Sequence, residues 1–221
     1  AYALMKGLGI KAPQMSAVFR QWGEGELSSY LIDITADILA HQDPETGQAL
    51  VEIILDTAEQ KGTGKWTSQV ALDLGVSAPT IADAVFARTM SALQPERLQA
   101  SKLLTGPKPQ AAQNLDVVLP KLQGALLAAK ICAYAQGFQL IDKAQEAYNW
   151  KLNFGEIAQI WRGGCIIRER FLQKITDAYA LNSRLKNLML DPYFTNALHE
   201  GQSNWREVVA LAVRNGIPVQ A

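Results

Sequence analysis

The chain has 221 residues, 48% hydrophobic and 19% charged, with 21 lysines plus arginines balanced by 21 aspartates plus glutamates. This is ordinary globular composition, long enough for a core that hides about 70% of the unfolded surface. A net charge of zero disfavours a broadly basic nucleic-acid protein, and no apolar run reaches the ~18–20 residues of a membrane span. Two cysteines, Cys132 and Cys165, make neither a disulfide scaffold nor a four-cysteine zinc site, which favours a reduced, intracellular setting. His41 and His199 lie far apart, without ligand spacing.

The opening Ala1–Lys6 reads as a helix entered part-way along, with no cap residue and no signal-peptide pattern. With the short ending after Gly216, this suggests an excised piece of a longer protein; a natural terminus is the alternative. Leu27, Tyr30, Leu31, Ile34 and Ile38 recur at helical spacing and predict a helix over 26–40, with His41 at its end. Residues 42–47 break it, and 50–58 is apolar but ambiguous in type. A helix over 67–74 closes at Gly75. Pro79 opens another that runs to about 104. Residues 105–109 are the clearest linker. A long helix over about 115–147 is apolar on nearly every face, which places it at the centre of a bundle. Helices over 153–160, 168–179, 191–200 and 203–215 complete an all-α reading, with little support for a sheet.

The chain also echoes itself. Met15–Gly25 resembles 154–164, with Trp22 and Trp161 offset by 139 residues, and Tyr30-Leu31 and Ile34-Thr35 match Phe171-Leu172 and Ile175-Thr176 at an offset of 141. Each copy reads as short helix, tryptophan, glycine loop, longer helix. The expectation is a single domain, 1–221, of two related helical halves joined by the long central helix.

Three segments could carry chemistry. In Gln60–Thr67, two glycines flank Thr63 between Lys61 and Lys65. Such a turn can aim backbone amides at an anion beside a helix N-terminus. It is not a nucleotide P-loop, because Glu59 and Trp66 stand where that motif needs Gly and Ser or Thr. A solvated basic loop is the plain alternative. Arg88 lies on an otherwise apolar stretch and needs either a phosphate or carboxylate ligand, or a structural partner. Trp161–Arg168 is either a second anion loop or, more simply, a place where glycines let helices approach; Cys165 reads as a small core residue. Glu24, Glu26 and Asp33 read as solvated charge.

The runs Asp56–Trp66, Ala84–Arg88, Arg97–Lys102 and Ile160–Arg168 resemble 6-phosphogluconate dehydrogenase over essentially the whole chain. The run Lys61-Gly62-Thr63-Gly64-Lys65-Trp66 is the most specific part, and Glu59 departs from the small residue usual there. The resemblance implies the helical domain of a cytoplasmic homodimer that oxidatively decarboxylates 6-phosphogluconate to ribulose 5-phosphate with NADP. It implies that Lys61, Thr63 and Arg88 contact the substrate phosphate. It places the catalytic lysine and glutamate and the dinucleotide-binding domain upstream of Ala1, and a C-terminal tail beyond Ala221, so the isolated chain is expected to be inactive. A related β-hydroxyacid dehydrogenase and a non-catalytic helical association module are the alternatives.

Overall fold

A computed structural model describes residues 1–111 and 114–220, and among these every regular element is helical. The chain runs through α1 (Tyr2–Gly7), α2 (Ala12–Gly23), α3 (Tyr30–Ala40), α4 (Leu50–Ile53), α5 (Thr63–Asp73), α6 (Pro79–Ala92), α7 (Gln94–Leu103), α8 (Leu115–Tyr148), α9 (Phe154–Ile160), α10 (Phe171–Leu181) and α11 (Pro192–Arg214). A single 3₁₀ turn, Leu188–Leu190, precedes α11.

The longest helix, α8, runs through the middle of the packing. Its Leu122 and Ala125 enter one core with Met5, Met15, Phe19 and Trp22. Its Ile131, Ala135 and Phe138 enter a second with Phe154, Phe171 and Ile175. Leu140 meets Ala71 and Ala78 in a smaller third. α11 lies along α8, with the buried Gly201 facing it: a Cβ there would sit at ordinary contact distance, 3.5 Å from the carbonyl oxygen of Gly124 and 3.8 Å from Ala128. The expectation that no apolar stretch is long enough for a membrane span does not hold for α8, which is long and apolar enough by length and composition. Its buried residues enter all three of these cores, as those of a bundle's central helix do.

Several boundaries differ from the sequence reading. The helix expected over 79–104 breaks at Leu93, because Pro95 lacks the N–H that would continue the ladder and instead opens α7. The two helices expected over 191–200 and 203–215 are one, α11, since Gly201 is buried within the helix rather than terminating it. The helix expected to begin at 67 begins at Thr63, so part of the presumed loop is its first turn. Its neighbour expected over 26–40 begins at Tyr30, where the Ser29 hydroxyl accepts from Ile32 N. The ambiguous stretch 50–58 forms only α4 and then runs irregularly to 62. The segment read as a linker is docked: Gln110 N donates to Asn215 Oδ1 at 2.9 Å, and Pro107 closes on Gly216.

The internal echo is a structural repeat, and it extends beyond the residues that suggested it. α3 and α10 are both 11 residues long and begin 141 residues apart, at Tyr30 and Phe171. α1 ends at Gly7 and α8 at Tyr148, again 141 apart. α5 and the last half of α11 close identically. Gly75 (φ 65°) and Gly216 (φ 63°) take the left-handed turn, and Val76 N donates to Ala71 O as Ile217 N donates to Ala212 O. Trp22 and Trp161 fall at 139 because the second copy has two more residues between its tryptophan and the following helix.

Candidate phosphate site

The repeat locates where the two halves part company. In α11 the helix runs unbroken through Gln202, Ser203 and Asn204. The corresponding positions of the first half are Lys61, Gly62 and Thr63, and there the helix is interrupted. Gly62 has φ 99°, a conformation that an L side chain rarely adopts, and it caps α5 without any side-chain bond. The first bond of the α5 ladder runs from Trp66 N to Gly62 O at 2.9 Å. The amides of Thr63, Gly64 and Lys65 therefore precede the ladder and face the open end of an 11-residue helix, where its dipole favours negative charge. Lys61 and Thr63 are both exposed at that end.

Gly64 has a different task from Gly62. A Cβ on it would lie 2.7 Å from Val85 Cγ2, so the glycine lets α6 press against the first turn of α5. Arg88 follows Val85 by three residues and shares its side of α6. Its Nη2 donates to the carbonyl oxygen of Glu59, two residues before Lys61. Lys61, Thr63 and Arg88 are thus assembled around one helix end. The sequence reading of Arg88 is corrected in one respect. Ala84, Phe86 and Arg88 are exposed, so the stretch is not a buried one, and the partner is a backbone carbonyl rather than an acid.

Arg97 is a residue of this site to which the sequence assigned no role. Its Nη1 bonds Asp56 Oδ2 at 3.0 Å, and its Nη2 bonds the carbonyls of Asp56 at 2.7 Å and Ser91 at 3.0 Å. The Ser91 hydroxyl accepts from Ala58 N at 3.0 Å, and Thr57 Oγ1 donates to Ser91 O at 3.3 Å. The segment leading to Lys61 is thereby fastened to the α6–α7 junction. No local pattern announces this, because Arg97 and Asp56 are 41 residues apart.

The helices α5 to α7 expose large apolar side chains: Trp66 at 67%, Phe86 at 69% and Leu103 at 73% of their full accessibility.

Comparison with known proteins places the chain and its fold in a family. Residues 1–221 match the model of the family described as 6-phosphogluconate dehydrogenase, C-terminal domain. The chain is 52% identical over 219 residues to the NADP(+)-dependent, decarboxylating 6-phosphogluconate dehydrogenase of Bacillus subtilis (strain 168), covering 99% of this chain and 47% of that protein. It is 53% identical over 220 residues to the decarboxylating enzyme of Escherichia coli (strain K12), with the same two coverages. A solved 6-phosphogluconate dehydrogenase of Plasmodium falciparum, studied in apo form and in complex with NADP+ and with 6-phosphogluconate, superposes with a TM-score of 0.95. Its identity is 41%, over 99% of this chain and 47% of that one. The chain spans about half the length of the curated relatives it matches. With its whole length matched and its helices superposed, the chain belongs to the 6-phosphogluconate dehydrogenase C-terminal domain family.

Proposed function

We propose that this chain is the substrate-binding and dimer-forming helical part of a cytoplasmic 6-phosphogluconate dehydrogenase, which converts 6-phosphogluconate to ribulose 5-phosphate and CO2 with NADP. The observation that carries the reading is the open N-terminus of α5, with Lys61, Thr63 and Arg88 gathered around it. A phosphate monoester bears about −1.5 to −2 charges near neutral pH. Lys61 and Arg88 offset that charge, and the Thr63 hydroxyl and the amides of the first α5 turn fill its remaining acceptor positions. Their work is positional: binding energy from the distal phosphate holds the sugar acid in place for chemistry performed elsewhere in the protein.

NADP, when bound, accepts the hydride. The described residues of this chain include no strand followed by a glycine loop and helix, and no Gly-x-Gly-x-x-Gly occurs in the sequence, so they do not fit a dinucleotide cradle. No step through the cofactor is assigned to them, and the general base and acid are placed in the preceding part of the longer protein. Homodimer formation through α5–α7 is supported by the exposed Trp66, Phe86, Leu103 and Leu104. The rival, a related β-hydroxyacid dehydrogenase, is disfavoured by 52–54% identity to decarboxylating 6-phosphogluconate dehydrogenases.

The test is steady-state kinetics of the longer enzyme with 6-phosphogluconate and with gluconate, which has no phosphate. Arg88→Ala and Lys61→Ala should each weaken apparent affinity for 6-phosphogluconate about ten- to a hundredfold, as expected for one charge-assisted hydrogen bond of roughly 1.5–3 kcal/mol. Thr63→Val should weaken it less. Gluconate turnover and NADP affinity should change little. Equal weakening toward both substrates would make Arg88 a structural residue only.

A further inference from the structure

The segment Trp161–Arg168, one of the unusual runs in the sequence, is left unused by the phosphate site on α5. The simpler reading of its glycines was close packing, and the structure contradicts it. A Cβ on Gly163 or on Gly164 would meet nothing within 4 Å. Gly164 is there for its left-handed backbone, φ 72°, which turns the chain sharply after Arg162. What the turn achieves is a gathering of cations.

Residues 168–170 are fastened to the N-terminus of α3. Tyr30 N donates to Arg168 O at 3.2 Å, Arg170 N donates to Ser28 O at 3.4 Å, and Ser29 and Glu169 form an antiparallel bridge. Glu169 turns inward, where it is nearly fully buried and ion-paired with Lys130. Arg168 and Arg170 are both exposed and line the same pocket. Arg168 is steadied by the Tyr30 ring, with its guanidinium carbon 4.8 Å from the ring centroid. Arg162 arrives from the glycine turn, held through Nη1 to Gln173 Oε1 at 2.5 Å. Lys174, one helical turn into α10, completes the group.

These four cations and the Ser28 and Ser29 hydroxyls line a pocket of about 530 Å³. Its only lining acids are Asp33 and Glu169, and Glu169 is already neutralised by Lys130. None of Arg162, Arg168, Arg170 and Lys174 has a salt bridge among the described residues. In a chain of zero net charge this is a concentrated site where four cations outnumber the one unpaired lining acid, Asp33, with a fixed backbone beneath it. Guanidinium groups present planar donor pairs that match tetrahedral oxyanions, and the serine hydroxyls add neutral donors.

We propose that this pocket is a second oxyanion site, in the half of the repeat that lacks the α5 loop, and that it takes a phosphate group, free or as the monoester of a small metabolite. The test is an NMR titration of the 221-residue chain carrying Lys61→Ala and Arg88→Ala, so that the α5 site is disabled and the two sites are read separately. The probes are inorganic phosphate and glucose 6-phosphate, with sodium chloride at matched ionic strength as the control. Saturable shifts at the amides of 162–170 and 29–30, with either phosphate and not with chloride, are expected. The probe that saturates at the lower concentration tells free phosphate from an ester. Arg168→Gln with Arg170→Gln should weaken binding at least tenfold. Arg170→Gln alone, at a side chain that makes no bond in the fold, should weaken it severalfold with helicity unchanged. Calorimetry on the longer enzyme should give the same phosphate affinity once its α5 site is disabled. A response equal to that of chloride, a response unchanged in the double variant, or loss of the site in the longer enzyme would overturn the proposal.

Discussion

Arg97 holds Asp56 at both ends, taking the carboxylate with Nη1 and the backbone carbonyl with Nη2. The same Nη2 reaches Ser91 O, so one planar group ties the start of the α5 loop to the end of α6. The Asp56 carboxylate is largely exposed, and its ion pair adds little through charge alone. The two carbonyl contacts are what give the arrangement its stiffness.

Arg97→Ala should therefore loosen residues 56–61 more than it unfolds the domain. Amide hydrogen exchange at Thr57 to Lys61 should quicken severalfold while the α8 amides stay protected. In the longer enzyme the KM for 6-phosphogluconate should rise by more than kcat falls. Arg97→Lys should not restore it, since an ammonium cannot serve the carboxylate and two carbonyls in one plane. Uniform exchange across the chain would mean that Arg97 acts on global stability instead.

The two glycines before and inside α5 should fail differently. Gly62→Ala places a side chain at φ 99° and should cost about 1–3 kcal/mol through backbone strain. Gly64→Ala meets Val85 and should cost a similar amount through overpacking. Val85→Ala should rescue the second and not the first. Chemical denaturation of the wild type, the three single variants and the two double variants separates the causes by a mutant cycle.

Alkaline pH should unfold the domain through its tyrosines. Burial, chiefly, raises the phenols of Tyr134, Tyr179 and Tyr193 above their ordinary value near 10. Glu169 adds to this at Tyr134, Asp142 at Tyr179, and Glu26, which accepts the hydroxyl hydrogen bond, at Tyr193. A group whose ionisation is suppressed by folding contributes stability fully below its unfolded value and loses it as pH rises. The thermal midpoint should hold steady to about pH 10 and fall beyond it, with tyrosinate absorbance appearing together with loss of helicity. Tyr134→Phe should flatten the fall. A midpoint indifferent to pH up to 11 would count against this assignment.

Sedimentation of the chain should show self-association, since α5 to α7 leave Trp66, Phe86, Leu103 and Leu104 largely exposed. Phe86→Glu with Leu103→Glu should yield a monomer of unchanged helicity. A wild-type monomer at high concentration would place another protein segment, not a second copy, on that face.

Much of this was legible in the residues. Leu27 to Ile38 announced α3, Gly75 announced the end of α5, and the twin tryptophans announced the repeat. Helix ends were less legible where two signals compete. Gly201 looks like a stop and is a contact surface for α8, while Pro95 was passed over inside a run of good helix formers. The residues of the α5 site were visible because glycine and lysine cluster locally. The role of Arg97 was not, since its partners lie 41 residues away and include bare backbone, which leaves no trace in side-chain pattern. Pattern reading misjudged Gly163 and Gly164 for a related reason: a packing glycine and a turning glycine look alike in sequence.

The sharing of α8 between cores bears on how the chain comes apart. Leu122 and Ala125 belong to one cluster and Ile131, Ala135 and Phe138 to the next, with fewer than two turns of helix between them. α11 does the same, giving Phe194 to one cluster and Val208 and Ala212 to the other. Neither half can melt while these two helices remain whole, and neither helix can fray at its centre without exposing both clusters. The duplicated halves should therefore behave as one cooperative unit, with a single calorimetric transition despite their independent-looking repeats. A cut in the loop between α3 and α5 should be tolerated far better than one in the middle of α8.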